Sequence, residues 1–197
     1  MSMAALALED GAVYRGRPFG AATDAEGEVV FNTCMTGYQE IATDPSYRGQ
    51  MVAMTFPLIG NYGVASTTSE SRRPWISALI VREYCDDPSN WTSEGTLSRF
   101  LTDKGIPGLR DVDTRALTRR LRSRGTMRAV LVHDSSKLSD VEMVERARAV
   151  VPIGETDLVA ATSILSPKEW SYTSGGNAKR IVVVDCGVKE NILRSLG

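Results

Sequence analysis

Residues 29–63 read VVFNTCMTGYQEIATDPSYRGQMVAMTFPLIGNYG. A strand-like stretch over 29–33 leads into a Gly-punctuated polar segment and the tetrapeptide Asp44-Pro45-Ser46-Tyr47. A second strand-like stretch, 50–56, stops at Pro57 and turns through Ile59-Gly60-Asn61-Tyr62-Gly63. Two apolar strands holding a polar turn form a scaffold that presents side chains to a ligand or partner. Asp44 can accept from a backbone N–H two residues ahead, and Pro45 presets its own φ for the second turn position. Ser46 therefore stands at a stiff, exposed corner with a hydroxyl able to donate and accept. From these residues alone two roles are open. The hydroxyl can satisfy the turn's own backbone, the commoner fate of a turn serine, or it can face a ligand.

Outward from this block, 4–8 and 12–15 read as a hairpin turning through Glu9-Asp10-Gly11. Further strands are predicted over 28–33, 50–56 and 75–81. Leu97, Phe100 and Leu101 have the i, i+3, i+4 spacing of a helix face within 92–104, stopped by Gly105 and Pro107. A second helix starts at Asp113 or Thr114, carries Ala116, Leu117 and Leu121 on one side, and ends at Gly125. A strand over 127–132 follows. Ser139 and Glu142 then make a capping box for a helix with Val141, Val144 and Ala147 inward, ending before Pro152. Hairpins first and alternating helices later predict an α+β layered domain over 1–170.

Residues 171–179, SYTSGGNAK, read as a linker. The run Arg180-Ile181-Val182-Val183-Val184-Asp185 has the β-branched continuity of a strand buried on both faces. Cys186 to Lys189 turn into a helix from Glu190, with Ile192, Leu193 and Leu196 apolar. The reading over 180–197 is the first βα unit of a second domain whose remainder lies elsewhere.

The chain has 197 residues, 42% hydrophobic and 24% charged, as in an ordinary globular protein. A formal charge of −1 gives no field to draw in nucleic acid or an anionic membrane. No apolar run approaches a membrane span, and the opening residues lack the basic region of a signal peptide. Cys34, Cys85 and Cys186 form neither a disulfide framework nor a C-x-x-C pair, which fits a reducing, cytoplasmic setting.

Chemistry is sparse. There is no P-loop, no G-x-G-x-x-G after a strand, and no zinc spacing of His, Cys and carboxylates, so no metal or cofactor is expected on this chain. Thiol catalysis needs a base, and the single histidine, His133, falls in a loop. Cys34 is placed in a strand, Cys85 in a loop and Cys186 after a strand end. None sits in a G-x-C-x-G elbow, so all three read as structural thiols and a Cys34/His133 or Cys186/His133 hydrolase is set aside. Arg115, Arg119, Arg120, Arg122, Arg124 and Arg128 form the densest charge feature. A solvated face with internal ion pairs ranks first for it, a partner contact second, and nucleic acid last.

The chain resembles the small, glutamine-hydrolysing subunit of carbamoyl phosphate synthase. The resemblance rests on the opening turn Leu8-Glu9-Asp10-Gly11, on Gly27-Glu28-Val29-Val30-Phe31-Asn32-Thr33 and on Met35-Thr36-Gly37-Tyr38-Gln39-Glu40. It continues through Thr43-Asp44-Pro45-Ser46-Tyr47, Pro57 to Gly63, Gly105 to Gly108, Asp111 to Thr118 and Val184 to Arg194. It implies a layered β/β/α N-terminal domain followed by the start of an α/β class I amidotransferase domain. In that family a Cys–His–Glu triad hydrolyses L-glutamine through a thioester, and ammonia passes through a tunnel to the large subunit. There ATP, with Mg, drives carbamoyl phosphate synthesis for arginine and pyrimidines. Of the family's glutamine contacts only the serine of D-P-S-Y carries over, here Ser46. The triad is expected beyond Gly197, so the isolated chain is expected to be inactive. The implied partners are the large subunit and L-glutamine. The alternative is a non-catalytic interaction module derived from the same family, docking through the arginine surface at 115–128.

Overall fold

Alternation in the first strand sets the architecture. β1 (Ala4–Leu8) is buried at every position: Ala4, Leu6 and Leu8 enter one apolar cluster, Ala5 and Ala7 another. Because successive side chains of a strand face opposite sides, β1 must be covered twice. The computed structural model, which describes residues 3–170 and 180–196, covers it by closing the sheet on itself.

The barrel strands are β1, β2 (Val13–Gly20), β3 (Ala25–Asn32), β4 (Gln50–Met54), β6 (Ala78–Ile80), β8 (Pro107–Arg110) and β9 (Met127–Val132). Their order is β1-β2-β8-β6-β4-β3-β9, and β9 returns antiparallel to β1 with Ala5 opposite Val132 and Leu8 opposite Ala129. The β3–β4, β4–β6 and β6–β8 pairs are parallel. A separate two-stranded parallel ladder joins β5 (Leu58–Ile59) to β7 (Glu83–Tyr84).

Six helices flank this barrel among the described residues: α1 (Tyr38–Thr43), α2 (Leu97–Asp103), α3 (Thr114–Arg124), α4 (Asp140–Ala149), α5 (Leu158–Thr162) and α6 (Glu190–Leu196). α3 contributes Leu117 and Leu121 to the cluster that Leu6, Val29, Met51, Ile80 and Leu131 build from the strands. The other face of β4 and β6, Val52 and Leu79, packs on α1 and α2. α4 lays Met143, Val144 and Ala147 over Ala5, Ala7, Val130 and Val132. None of these helices is long and apolar enough to cross a membrane.

The caps of α3 and α4 lie where the sequence puts them. Thr96 opens α2, Asp113 opens α3, and Ser139 with Glu142 forms a complete capping box on α4. Ser139→Ala is expected to remove about 1 kcal/mol, read as a lower urea midpoint with an unchanged slope.

Several expectations need correction. The α+β class holds, but the main strands close into a barrel instead of stacking as separate large sheets. Val141 is 71% exposed, and Met143 takes its place inward, because Met143, Val144 and Ala147 share a face that Val141 is turned away from. Ala116 is likewise exposed beside the buried Leu117. The strand over 75–81 shortens to β6, and Pro107 does more than stop a helix: it begins β8, where its missing N–H is tolerated. Residues 180–185 form no strand, and Val182 and Val184 are 85% and 84% exposed. A doubly buried parallel strand needs neighbours on both sides, and none pairs with it among the described residues. The linker predicted over 171–179 lies outside the described residues.

Candidate functional site

The sequence folds its signature block by making the two halves bind each other. Gly37 starts α1 at φ 88°, a left-handed conformation that glycine adopts without strain. The N–H groups of Gly37 and Tyr38 both donate to the Tyr62 hydroxyl, at 2.6 and 3.1 Å. The Tyr38 hydroxyl donates to the Gly63 carbonyl at 2.6 Å, and the two rings stack with centroids 4.1 Å apart. Burial pushes both phenols above their ordinary pKa, so both stay neutral hydroxyls, Tyr62 accepting and Tyr38 donating. Gln39 clamps Ala65 as a second backbone would: its Nε2 donates to the Ala65 carbonyl at 2.7 Å, and its Oε1 accepts the Ala65 N–H at 2.9 Å. The polar groups of Tyr38, Gln39 and Tyr62 are thus engaged internally.

What they hold in place is the corner that follows α1. Asp44 is 7% exposed, and its two oxygens are divided between near and far partners. Oδ1 accepts the Ser46 N–H at 2.9 Å, as the turn chemistry predicts. Oδ2 accepts the Lys189 ammonium, also at 2.9 Å, from 145 residues away. Burial raises the Asp44 carboxyl, but Lys189 and both the N–H and hydroxyl of Ser46 outweigh it and hold the pKa below 3.8. Pro45 to Tyr47 form a single 3-10 turn, with Pro45 buried and Ser46 exposed.

The chain after residue 184 docks onto this corner. Asp185 Oδ1 accepts the N–H groups of Gly187 and Val188, each at 2.8 Å. A Cβ on Gly187 would lie 3.1 Å from Pro45 Cβ, so glycine lets the two turns touch. The Glu190 N–H donates to the Glu70 carbonyl at 2.8 Å, the Asn191 N–H to Glu70 Oε2 at 3.0 Å, and Leu193 is buried. Asn32, Glu40, Asp44, Tyr47, Glu70 and Lys189 enclose a cleft of about 230 Å³. Ser46 is exposed between Pro45, which meets Gly187, and Tyr47, which lines the cleft, and is not itself among the cleft's lining residues.

The other candidates stay apart. Cys34 is exposed in the loop after β3, not within a strand, because pairing with β4 ends at Asn32. Cys85 and Cys186 are also free thiols. The His133 N–H donates to Asp24 Oδ1, and its Nδ1 is buried without a partner. No cluster of His, Cys, Asp and Glu suited to a metal occurs among the described residues. The arginine run divides: Arg120 and Arg124 reach Asp10 at 2.6 and 3.2 Å, and Arg128 reaches Glu9 at 2.6 Å. Arg115, Arg119 and Arg122 are exposed. Sequence reading missed the Asp44–Lys189 pair, because no local spacing links the two residues.

The fold is thus an α+β barrel domain whose stiffened corner at Asp44 receives a later segment of the chain. The model of one family, described as carbamoyl-phosphate synthase small chain, CPSase domain, matches residues 6–131. The carbamoyl phosphate synthase small chain of Methanopyrus kandleri is 50% identical over 195 residues, 98% of this chain and 53% of that protein. That of Symbiobacterium thermophilum is 50% identical over 194 residues, 96% of this chain and 52% of the relative. The pyrimidine-specific small chain of Bacillus subtilis is 46% identical over 191 residues, 97% of this chain and 50% of the relative. The chain belongs to the carbamoyl-phosphate synthase small chain family. It spans about half the length of the curated relatives it matches.

Proposed function

We propose that this chain is the barrel-bearing part of the small subunit of a cytoplasmic, glutamine-dependent carbamoyl phosphate synthase. In this reading the segment from residue 180 opens an amidotransferase domain whose Cys–His–Glu triad lies beyond Gly197. That domain hydrolyses L-glutamine, and a large subunit using ATP and Mg consumes the ammonia. The barrel completes the glutamine pocket from across the seam, with Ser46 contributing a hydrogen bond. The observation that carries this is the Asp44 carboxylate, which holds the exposed Ser46 corner and Lys189 of the trailing segment together.

Ser46→Ala in the intact enzyme is expected to weaken glutamine-dependent kcat/KM by about fivefold, the worth of one hydrogen bond of about 1 kcal/mol. Ammonia-driven synthesis is expected to be unchanged. Unaltered glutamine kinetics would remove Ser46 from the pocket. A second reading, a non-catalytic interaction module, draws support from the exposed row Arg115, Arg119 and Arg122. Co-purification with a large ATP-using subunit, together with glutaminase activity, separates the two.

A further inference from the structure

Trp75 has more positive charge against its ring than one indole needs. The guanidinium carbons of Arg73, Arg72 and Arg48 stand 4.0, 5.2 and 5.7 Å from the ring centroid. One cation over a tryptophan is the ordinary arrangement; three must share the ring and repel each other. Among the described residues no carboxylate forms a salt bridge with any of them. The sequence of 171–179 contains no acid that could supply one. The indole is only 3% exposed, and its N–H donates to Ser71 Oγ at 2.7 Å, while Arg72 and Arg73 are exposed beside it.

A cavity of about 390 Å³ opens here. Arg48, Arg73 and Trp75 line part of it, the apolar side chains of Ile153 and Leu158 another part, and Glu26 and Glu28 border it as well. The volume falls among those of small-molecule pockets. We propose that this cavity binds a small organic phosphate, its phosphoryl group held by Arg48 and Arg73 and its body against the apolar lining, while Arg72, outside the lining, adds positive charge across the Trp75 ring.

The charge count selects the class. A carboxylate brings a single negative charge to three guanidiniums, whereas a phosphate monoester brings nearly two, with three acceptor oxygens suited to arginine's forked donors. An acidic protein surface would press its own carboxylates toward Glu26 and Glu28; a small ligand can direct hydroxyl or amine donors to them instead. Burial, then the charges of Arg48 and Arg72, already pull the Arg73 pKa below its ordinary value, and a bound dianion relieves that repulsion.

The test is a titration of the chain with phenyl phosphate, which joins a dianion to an apolar ring. Calorimetry follows the unmodified chain, and a Trp91→Phe/Trp170→Phe variant leaves Trp75 as the lone fluorescent indole. A saturable heat and emission change is expected, weaker with inorganic phosphate and absent with phenol. Arg48→Gln and Arg73→Gln are each expected to weaken binding by about tenfold, and Arg73→Lys by less. The proposal is overturned by a non-saturable response, or by an equal response to sodium chloride at matched ionic strength. Unweakened binding in folded Arg73→Gln, or tighter binding of an oligoglutamate peptide, would overturn it as well.

Discussion

Leu117→Ala is expected to lower folding stability by about 2–5 kcal/mol, the range for truncating a leucine in a closed core. Leu117 is 0% exposed and joins α3 to the cluster that the barrel strands share. For a chain of this size each lost kcal/mol lowers the melting temperature by roughly 2–4 °C, so thermal circular dichroism resolves the change. Leu196, half-exposed on α6, provides the contrast: Leu196→Ala is expected to stay within about 0.5 kcal/mol. Equal effects at the two positions would mean that α3 does not seal the barrel core.

Asp44→Ala is expected to release the docked segment. It removes the acceptor of both the Ser46 N–H and the Lys189 ammonium, bonds that involve a charged group and contribute about 1.5–3 kcal/mol each at most. Amide exchange at Gly187 through Leu193 is expected to accelerate, with the strands of the barrel unaffected. Lys189→Ala should do less, because the Lys189 side chain is 43% exposed and already partly solvated.

The pair also sets a pH window for docking. The folded pKa of Asp44 lies below 3.8, so its contribution is present above 3.8 and disappears as pH falls through that lowered value. The Lys189 hydrogen bond to Asp44 holds the lysine pKa above 10.5, so its contribution is present below 10.5 and is lost as pH rises through the raised value. Protection of the segment is therefore expected to be flat between those limits and to fall outside them. A fall near neutrality would place the hold on another group.

Much of the barrel was readable one segment at a time. The hairpin of β1 and β2, the bounds of β9 and the capping box at Ser139 follow from patterns within a few residues, where turn chemistry and caps act. Closure was not readable, because pairing Leu8 with Ala129 leaves no mark in the sequence near either residue. The inward place of Met143 was misread for a related reason: Val141 satisfied the apolar pattern, and only the position of Ala5 and Ala7 decides which face is covered. The β-branched run at 181–184 shows the limit of composition, since apolar content does not make a strand without partners. At the site, the Asp44–Ser46 turn was legible from D-P-S-Y alone. The Gln39 clamp on Ala65 and the reach of Lys189 to Asp44 join residues far apart, and no short-range rule connects them.

Pairing the first strand with the ninth has a kinetic consequence. The residues that complete the ring leave a ribosome long after β1 has emerged, so the nascent chain carries two unzipped strand flanks until residue 132 is free. Such long-range pairing folds slowly, and open flanks invite intermolecular zippering. The step that hides them is the meeting of the chain's earliest and late-made strands, and the yield of soluble protein should depend on how soon that meeting occurs.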